Sequence, residues 1–259
     1  MAQLAANLTM LFGEADFLDR FGAAADAGFR GVEYLFPYAY DPQVLRERRR
    51  APGLVQVLHN LPAGNWSAGE RGIACLPDRV DEFKAGVAQA IEYATALGCE
   101  RVNCLAGILP PHVDPAAARD TLVANLRYAA PRFTSAGISL LLEPINTRDI
   151  PGFFLSGTNQ TIEIIDAVGS DNVWLQYDIY HMQIMEGDVA AAIPRLLPRI
   201  KHMQLADVPG RHEPGTGDID FGSLLPSIDR AGYADWIGCE YVPKAGTVAG
   251  LGWTAPYLA

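Results

Sequence analysis

Eight short strand-like runs alternate with helix-length amphipathic stretches from one end of the 259-residue chain to the other. The runs fall at 4–7, 31–34, 55–59, 101–105, 139–143, 173–178, 200–206 and 236–240. Helical periodicity is predicted between them, over 16–27, 42–50, 80–97, 115–136, 158–168, 189–197 and 222–231. Gly98, Gly137 and Gly232 stand where glycine closes a helix before the next strand. The runs are often apolar at successive positions rather than strictly alternating, as expected of parallel strands covered on both faces. Neither GxGxxG nor GxxxxGK[ST] occurs, which argues against a nucleotide-binding open sheet. Eight β/α units in a chain of this length favour an α/β fold closed into a single (β/α)8 TIM barrel, with residues 1–259 as one domain.

Charge and composition remove several alternatives. Twenty Lys and Arg stand against 30 Asp and Glu, a formal charge of -10, and the one basic cluster, Arg46, Arg48, Arg49 and Arg50, fits a solvated helix end. Without a phosphate-neutralising stripe, no nucleic-acid partner is expected. The N-terminal MAQLAANLTMLFGEAD lacks a basic n-region and reads as a first strand, and no run approaches a membrane span, so a cytoplasmic protein without a membrane partner is expected. Cys75, Cys99, Cys104 and Cys239 show no CxxC spacing and read as reduced, buried thiols. Homo-oligomer formation is compatible with the sequence.

Four residues sit at or near the carboxyl ends of consecutive runs: Glu143 ends ISLLLE, Asp178 ends NVWLQYD, Gln204 lies in IKHMQLAD and Glu240 ends WIGCE. In a barrel these ends ring one mouth, where active sites are built. Asp178 alone would read as an N-cap for the next helix. Three carboxylates and an amide at equivalent heights are harder to explain as caps, and together they would repel unless protonated or neutralised by a cation. The donors are all oxygen, which selects one Mg²⁺ or Mn²⁺ ion over structural zinc.

Around this core, His181 in DIYH and Arg211 in DVPGRHEPGTGD are candidate substrate-binding residues. A guanidinium beside an acidic mouth suits holding a substrate carboxylate or polarising an oxygen. His59, Glu70 and Arg71 in the long segment 60–78 and just before it are weaker candidates, since that segment could equally be a lid or an oligomer contact; His212 reads as a solvent-facing loop residue. Two glutamates meeting one metal point to proton shuttling beside a carbonyl, the chemistry of aldose-ketose isomerases and ketose epimerases.

The motifs ANLTMLF, LHNLPAGNWSAGERGIACLP, NCLAG, LLLEPIN, QYDIYHMQ, HMQLADVPGRHEPGTGDID and GCEYVPK resemble the hydroxypyruvate isomerase family, within the xylose-isomerase-like TIM-barrel superfamily. The resemblance spans essentially the whole chain. It implies a metal-dependent interconversion of hydroxypyruvate and tartronate semialdehyde, a small hydroxy-oxo acid substrate, through an enediolate. It implies Glu143 and Glu240 as catalytic acid and base, and the same pair with Asp178 and Gln204 as metal ligands. His181 and Arg211 resemble positions that hold substrate oxygens in ketose epimerases, whose third ligand is a histidine where this chain has Gln204. A 2-oxo-tetronate isomerase, a ketose 3-epimerase and a barrel that binds metal or acid without turnover are the alternatives.

Overall fold

The computed structural model describes residues 2–258. Strands β1 (Gln3–Asn7), β2 (Gly31–Glu33), β3 (Val55–Asn60), β4 (Arg101–Cys104), β5 (Ser139–Leu142), β6 (Val173–Asp178), β7 (Ile200–Leu205) and β8 (Trp236–Cys239) form a closed barrel in chain order. Every pairing is parallel, and β8 returns to β1. The TIM barrel read from the sequence is therefore the fold.

Eight helices surround it: α1 (Arg20–Asp26), α2 (Pro42–Arg50), α3 (Val80–Leu97), α4 (Pro115–Ser135), α5 (Thr158–Val168), α6 (Ile179–Met185), α7 (Val189–Leu196) and α8 (Phe221–Arg230). Their starts are chemical: Asp41, Asp114, Asp188 and Asp220 each accept a backbone N–H of the first turn, and proline opens α2 and α4. Gly98 and Gly169 take the left-handed conformation that closes α3 and α5. The predicted first helix is a 3₁₀ turn, Phe17–Asp19, followed by α1. Glu143 and Glu240 lie one residue beyond β5 and β8 rather than inside them.

The main apolar core fills the space between barrel and helices. A small second core, Ala5, Val57, Leu58 and Leu141, plugs the barrel interior. At the seam the fold admits little bulk. A Cβ on Gly31 would meet the Trp236 ring at 2.4 Å, and one on Gly238 would meet the Glu33 carboxylate. All four cysteines are free and buried, as expected. No helix among the described residues is long and apolar enough to cross a membrane.

Candidate active site

The carboxyl ends of the strands enclose a cavity of about 90 Å³. Glu143, Gln176, His181, Gln204, Arg211 and Glu240 form its polar wall. Pockets for drug-sized ligands run to roughly 300–1,000 Å³, so this one suits a ligand of a few carbons.

The four residues read as a ring converge here, but not at one height. Asp178 pairs in register with Gln204, whose β8 partner is Gly238, two residues before Glu240. Leu142 pairs with Leu175, so Glu143 leaves the sheet beside Gln176, a layer below Asp178. This stagger is the shear a closed barrel requires, and it corrects the expectation of equal heights.

Asp178 has two roles. Its Oδ1 caps α6 by accepting from the Tyr180 N–H at 2.8 Å and the His181 N–H at 3.4 Å. Its Oδ2 is buried and has no hydrogen-bond partner among the described residues. A carboxylate oxygen is not left bare in a core without cost, so this atom has room for a cation or a substrate group. Ligand atoms of Glu143, Asp178 and His181 all lie within 4.8 Å of one another, a grouping that could hold a metal ion.

His181 enters that cluster as an N–H donor. Asn146 Nδ2 lies 2.7 Å from His181 Nδ1, while Asn146 Oδ1 accepts from the Asp149 N–H, so Nδ1 is the acceptor and Nε2 carries the proton. Nε2 faces Asp178 Oδ2 at 3.5 Å and Glu143 Oε1 at 4.0 Å. Burial pushes the His181 pKa down to about 4, outweighing the pull of Asp178, so the ring is neutral at pH 7.

Glu143 and Glu240 are both held. Asn103 Nδ2 donates to Glu143 Oε2 at 2.8 Å, leaving Oε1 toward the cavity. Arg211 donates to Glu240 Oε1 at 2.9 Å and lies 3.7 Å from Asp178 Oδ2, while Gln204 Nε2 donates to Glu240 Oε2. Burial, then the nearby Glu240 and Asp178 charges, raise the Glu143 pKa well above the carboxylate range. Burial likewise pushes Glu240 up to about 8, with Arg211 opposing. Burial acts against the Arg211 charge, but Glu240, Asp178 and Glu143 outweigh it and keep its pKa above the usual value.

Gln204 is oriented otherwise than a ligand oxygen would need. Its Oε1 accepts from Gln176 Nε2 at 2.6 Å, and its Nε2 also donates to Glu33 Oε1 at 2.8 Å. Gln176 Oε1 has no partner among the described residues, so a joint rotation of both amides would turn the Gln204 oxygen inward while giving its nitrogen an acceptor.

Sequence reasoning missed Glu33. It is fully buried, accepts from His202 Nε2 at 2.7 Å and Asn7 Nδ2 at 2.9 Å, and supports Gln204 from below. It ends its strand with a carboxylate as Asp178 does, but the run read from the sequence extends to Tyr34 and places Glu33 inside it. Asn103 and Asn146 were also passed over, although both lie in the motifs NCLAG and LLLEPIN.

The remaining candidates separate. His59 is buried but turned away from the cavity, against Tyr38, with Nδ1 near its neighbour's carbonyl, that of Asn60. The alternation of β3 accounts for this, since Asn60 takes the inward position. Glu70 does not line the cavity either; it pairs with Arg79 at 2.8 Å. Arg71 does line it. His212 is half-buried rather than solvent-facing, with Nδ1 2.7 Å from the Val242 carbonyl.

Arg211 is placed by its loop. Asp207, fully buried, accepts the backbone N–H groups of Gly215, Thr216 and Gly217 on Oδ2 and those of Val208 and Ile219 on Oδ1. Arg211 itself sits at φ 56°, a left-handed conformation rare for a bulky residue, which the loop imposes to aim the guanidinium at Glu240.

The sequence model of the xylose isomerase-like TIM barrel family matches residues 21–257. Hydroxypyruvate isomerase of Escherichia coli (strain K12) is 52% identical over 257 residues, 99% of this chain and 100% of that one. A 2-oxo-tetronate isomerase of Cupriavidus necator is 48% identical, covering 100% of this chain and 99% of its own. The crystal structure of an AP endonuclease, family 2, from Brucella melitensis superposes with a TM-score of 0.97 at 42% identity, covering 99% of both chains. With full-length matches of this kind around one buried acidic mouth, the chain belongs to the xylose isomerase-like TIM barrel family and is one of its isomerases.

Proposed function

We propose that the protein interconverts hydroxypyruvate and tartronate semialdehyde by moving a proton between adjacent carbons. The observation that carries this reading is the pair Glu143 and Glu240, three strands apart around a cavity of about 90 Å³, each made proton-avid by burial. Carbon 3 of hydroxypyruvate loses a proton to one of the two carboxylates, and its electron pair enters the bond to carbon 2, giving an enediolate. The proton returns to carbon 2 while the hydroxyl proton passes from oxygen 3 to oxygen 2. Neutral His181 directs an N–H at the oxygens, where negative charge develops. Asn103 orients the Glu143 carboxylate, and Arg211 with Gln204 orients that of Glu240, beside the substrate.

The bare Asp178 Oδ2 and three crowded carboxylates fit a divalent cation, which Glu143, Asp178 and Glu240 would hold, joined by Gln204 once its amide has turned. Such a cation supplies charge neutralisation and polarises the carbonyl oxygen. An all-oxygen donor set favours Mg²⁺ or Mn²⁺. His181, as an N–H donor at Nε2, stays outside the ligand set in this reading.

A 2-oxo-tetronate is the second substrate to test, because a relative named for that activity is 48% identical over the full chain. An enclosed cavity of this size and a net charge of -10 fit poorly with DNA cleavage of the kind an endonuclease performs. Steady-state kinetics with Mg²⁺ or Mn²⁺ on hydroxypyruvate, a 2-oxo-tetronate and a ketose would decide among them. The highest kcat/KM is expected for hydroxypyruvate; a higher value for the ketose would overturn the acid-isomerase reading.

A further inference from the structure

Two guanidinium groups line the cavity, those of Arg71 and Arg211, and their surroundings differ. Arg211 is already paired with Glu240 at 2.9 Å and lies 3.7 Å from Asp178. Arg71 has no carboxylate within 4.0 Å among the described residues, because its neighbour Glu70 is taken by Arg79. Only NH1 of Arg71 is engaged, by the carbonyls of Trp66 at 3.0 Å and Glu70 at 2.8 Å. Nε and NH2 have no acceptor among the described residues, and they are the two donors a guanidinium offers side by side to a carboxylate.

The group is also held in place. Its Cζ lies over the Trp66 ring, 4.1 Å from the centroid, and Trp66 in turn packs edge-on against Phe36. On one side of it Glu70 is tied to Arg79; on the other Gly72 bridges to Ala106 across a crossing with Gly107 too tight for any Cβ. The segment 60–78 is thus a fixed wall of the site. Much of the rest of the wall is apolar, including Met10, Leu35, Leu105 and Ile145, while Glu143 and Glu240 would repel an anion.

We propose that Arg71 is the specificity-determining residue that anchors the carboxylate of the substrate, leaving its hydroxy-oxo end to Glu143 and Glu240. This assignment rests on the acid-isomerase reading for its place in turnover, but the binding it describes can be measured separately. Of the two roles open to Arg211 from the sequence, holding the carboxylate or polarising an oxygen, it gives the first to Arg71, the cavity's guanidinium without an anionic partner among the described residues.

The test compares wild type, Arg71→Met and Arg71→Lys in the presence of Mn²⁺. Calorimetry measures the binding of glycerate, a three-carbon hydroxy acid that carries no carbonyl to isomerise, and thermal melts check that each variant is folded. Wild type is expected to bind glycerate, the Met variant at least tenfold more weakly, and the Lys variant in between. With hydroxypyruvate as substrate, the Met variant should raise KM at least tenfold and change kcat less than threefold. No binding by wild type, wild-type affinity in a folded Met variant, or a Lys variant no better than Met would overturn the proposal. Glycerate binding that depends on Arg71, without turnover of any acid, would instead sink the isomerase reading and leave the anchor standing.

Discussion

In the proposed reaction Glu143 and Glu240 carry the proton; Asn103 holds one oxygen of Glu143, while Arg211 and Gln204 hold the two oxygens of Glu240. Glu143→Gln and Glu240→Gln retain the shape and an oxygen donor but cannot shuttle a proton. General acid–base catalysis contributes typically 10²–10⁴-fold, so each variant is expected to lose at least about 100-fold in kcat while Mn²⁺ binding, followed by equilibrium dialysis, persists. Full activity in either would remove that residue from the proton path. These residues were legible because a carboxylate ending an apolar run stands out against it. Glu33 ends such a run too, but β2 is only three residues long, and read as reaching Tyr34 it left the carboxylate looking internal. Nor could sequence show that His202, 169 positions away, would be its partner.

The long loop after β7 is built around one side chain, and five backbone N–H groups converge on Asp207. Asp207→Ala removes all of those acceptors at once and should release Arg211 from Glu240. The expected result is a kcat/KM on hydroxypyruvate at least tenfold lower, with a melting temperature several degrees lower. An unchanged kcat/KM would show that the loop does not need Asp207 to place Arg211. Most elements were readable from glycine punctuation and apolar runs. The exception is α6: at seven residues it is too short for periodicity to register, and its start signal is Asp178, read first as a site residue. The cap and the site turn out to be opposite oxygens of one carboxylate.

Across the whole molecule, the buried ionisable groups should set a pH dependence. Glu240 shifts from an ordinary 4.5 to about 8, so the native state keeps a proton that the unfolded chain releases, and stability falls as pH rises through that window. Glu143 acts in the same direction. His59 and His181, pushed by burial from 6.5 to about 4, act oppositely: they add stability as pH rises to 6.5 and nothing further above it. Between pH 6.5 and 8 the carboxylates stand alone, and the metal-free protein should lose stability at up to about 1.4 kcal/mol per pH unit for each proton that the native state retains. Urea unfolding in excess chelator at the two pH values measures this, and saturating Mn²⁺ should flatten the slope. Stability that rises with pH in chelator would contradict the burial of these charges.

The central claim is that a proton moves between adjacent carbons of a short hydroxy-oxo acid inside this mouth. Proton NMR of hydroxypyruvate in D₂O, with the protein and Mg²⁺ or Mn²⁺, reads it directly. The account expects deuterium to enter carbon 3 of hydroxypyruvate at a protein-dependent rate, with tartronate semialdehyde appearing; product is expected to vanish in both Glu143→Gln and Glu240→Gln, and exchange at carbon 3 in the variant that lacks the base. Neither exchange nor product at any metal loading would contradict it.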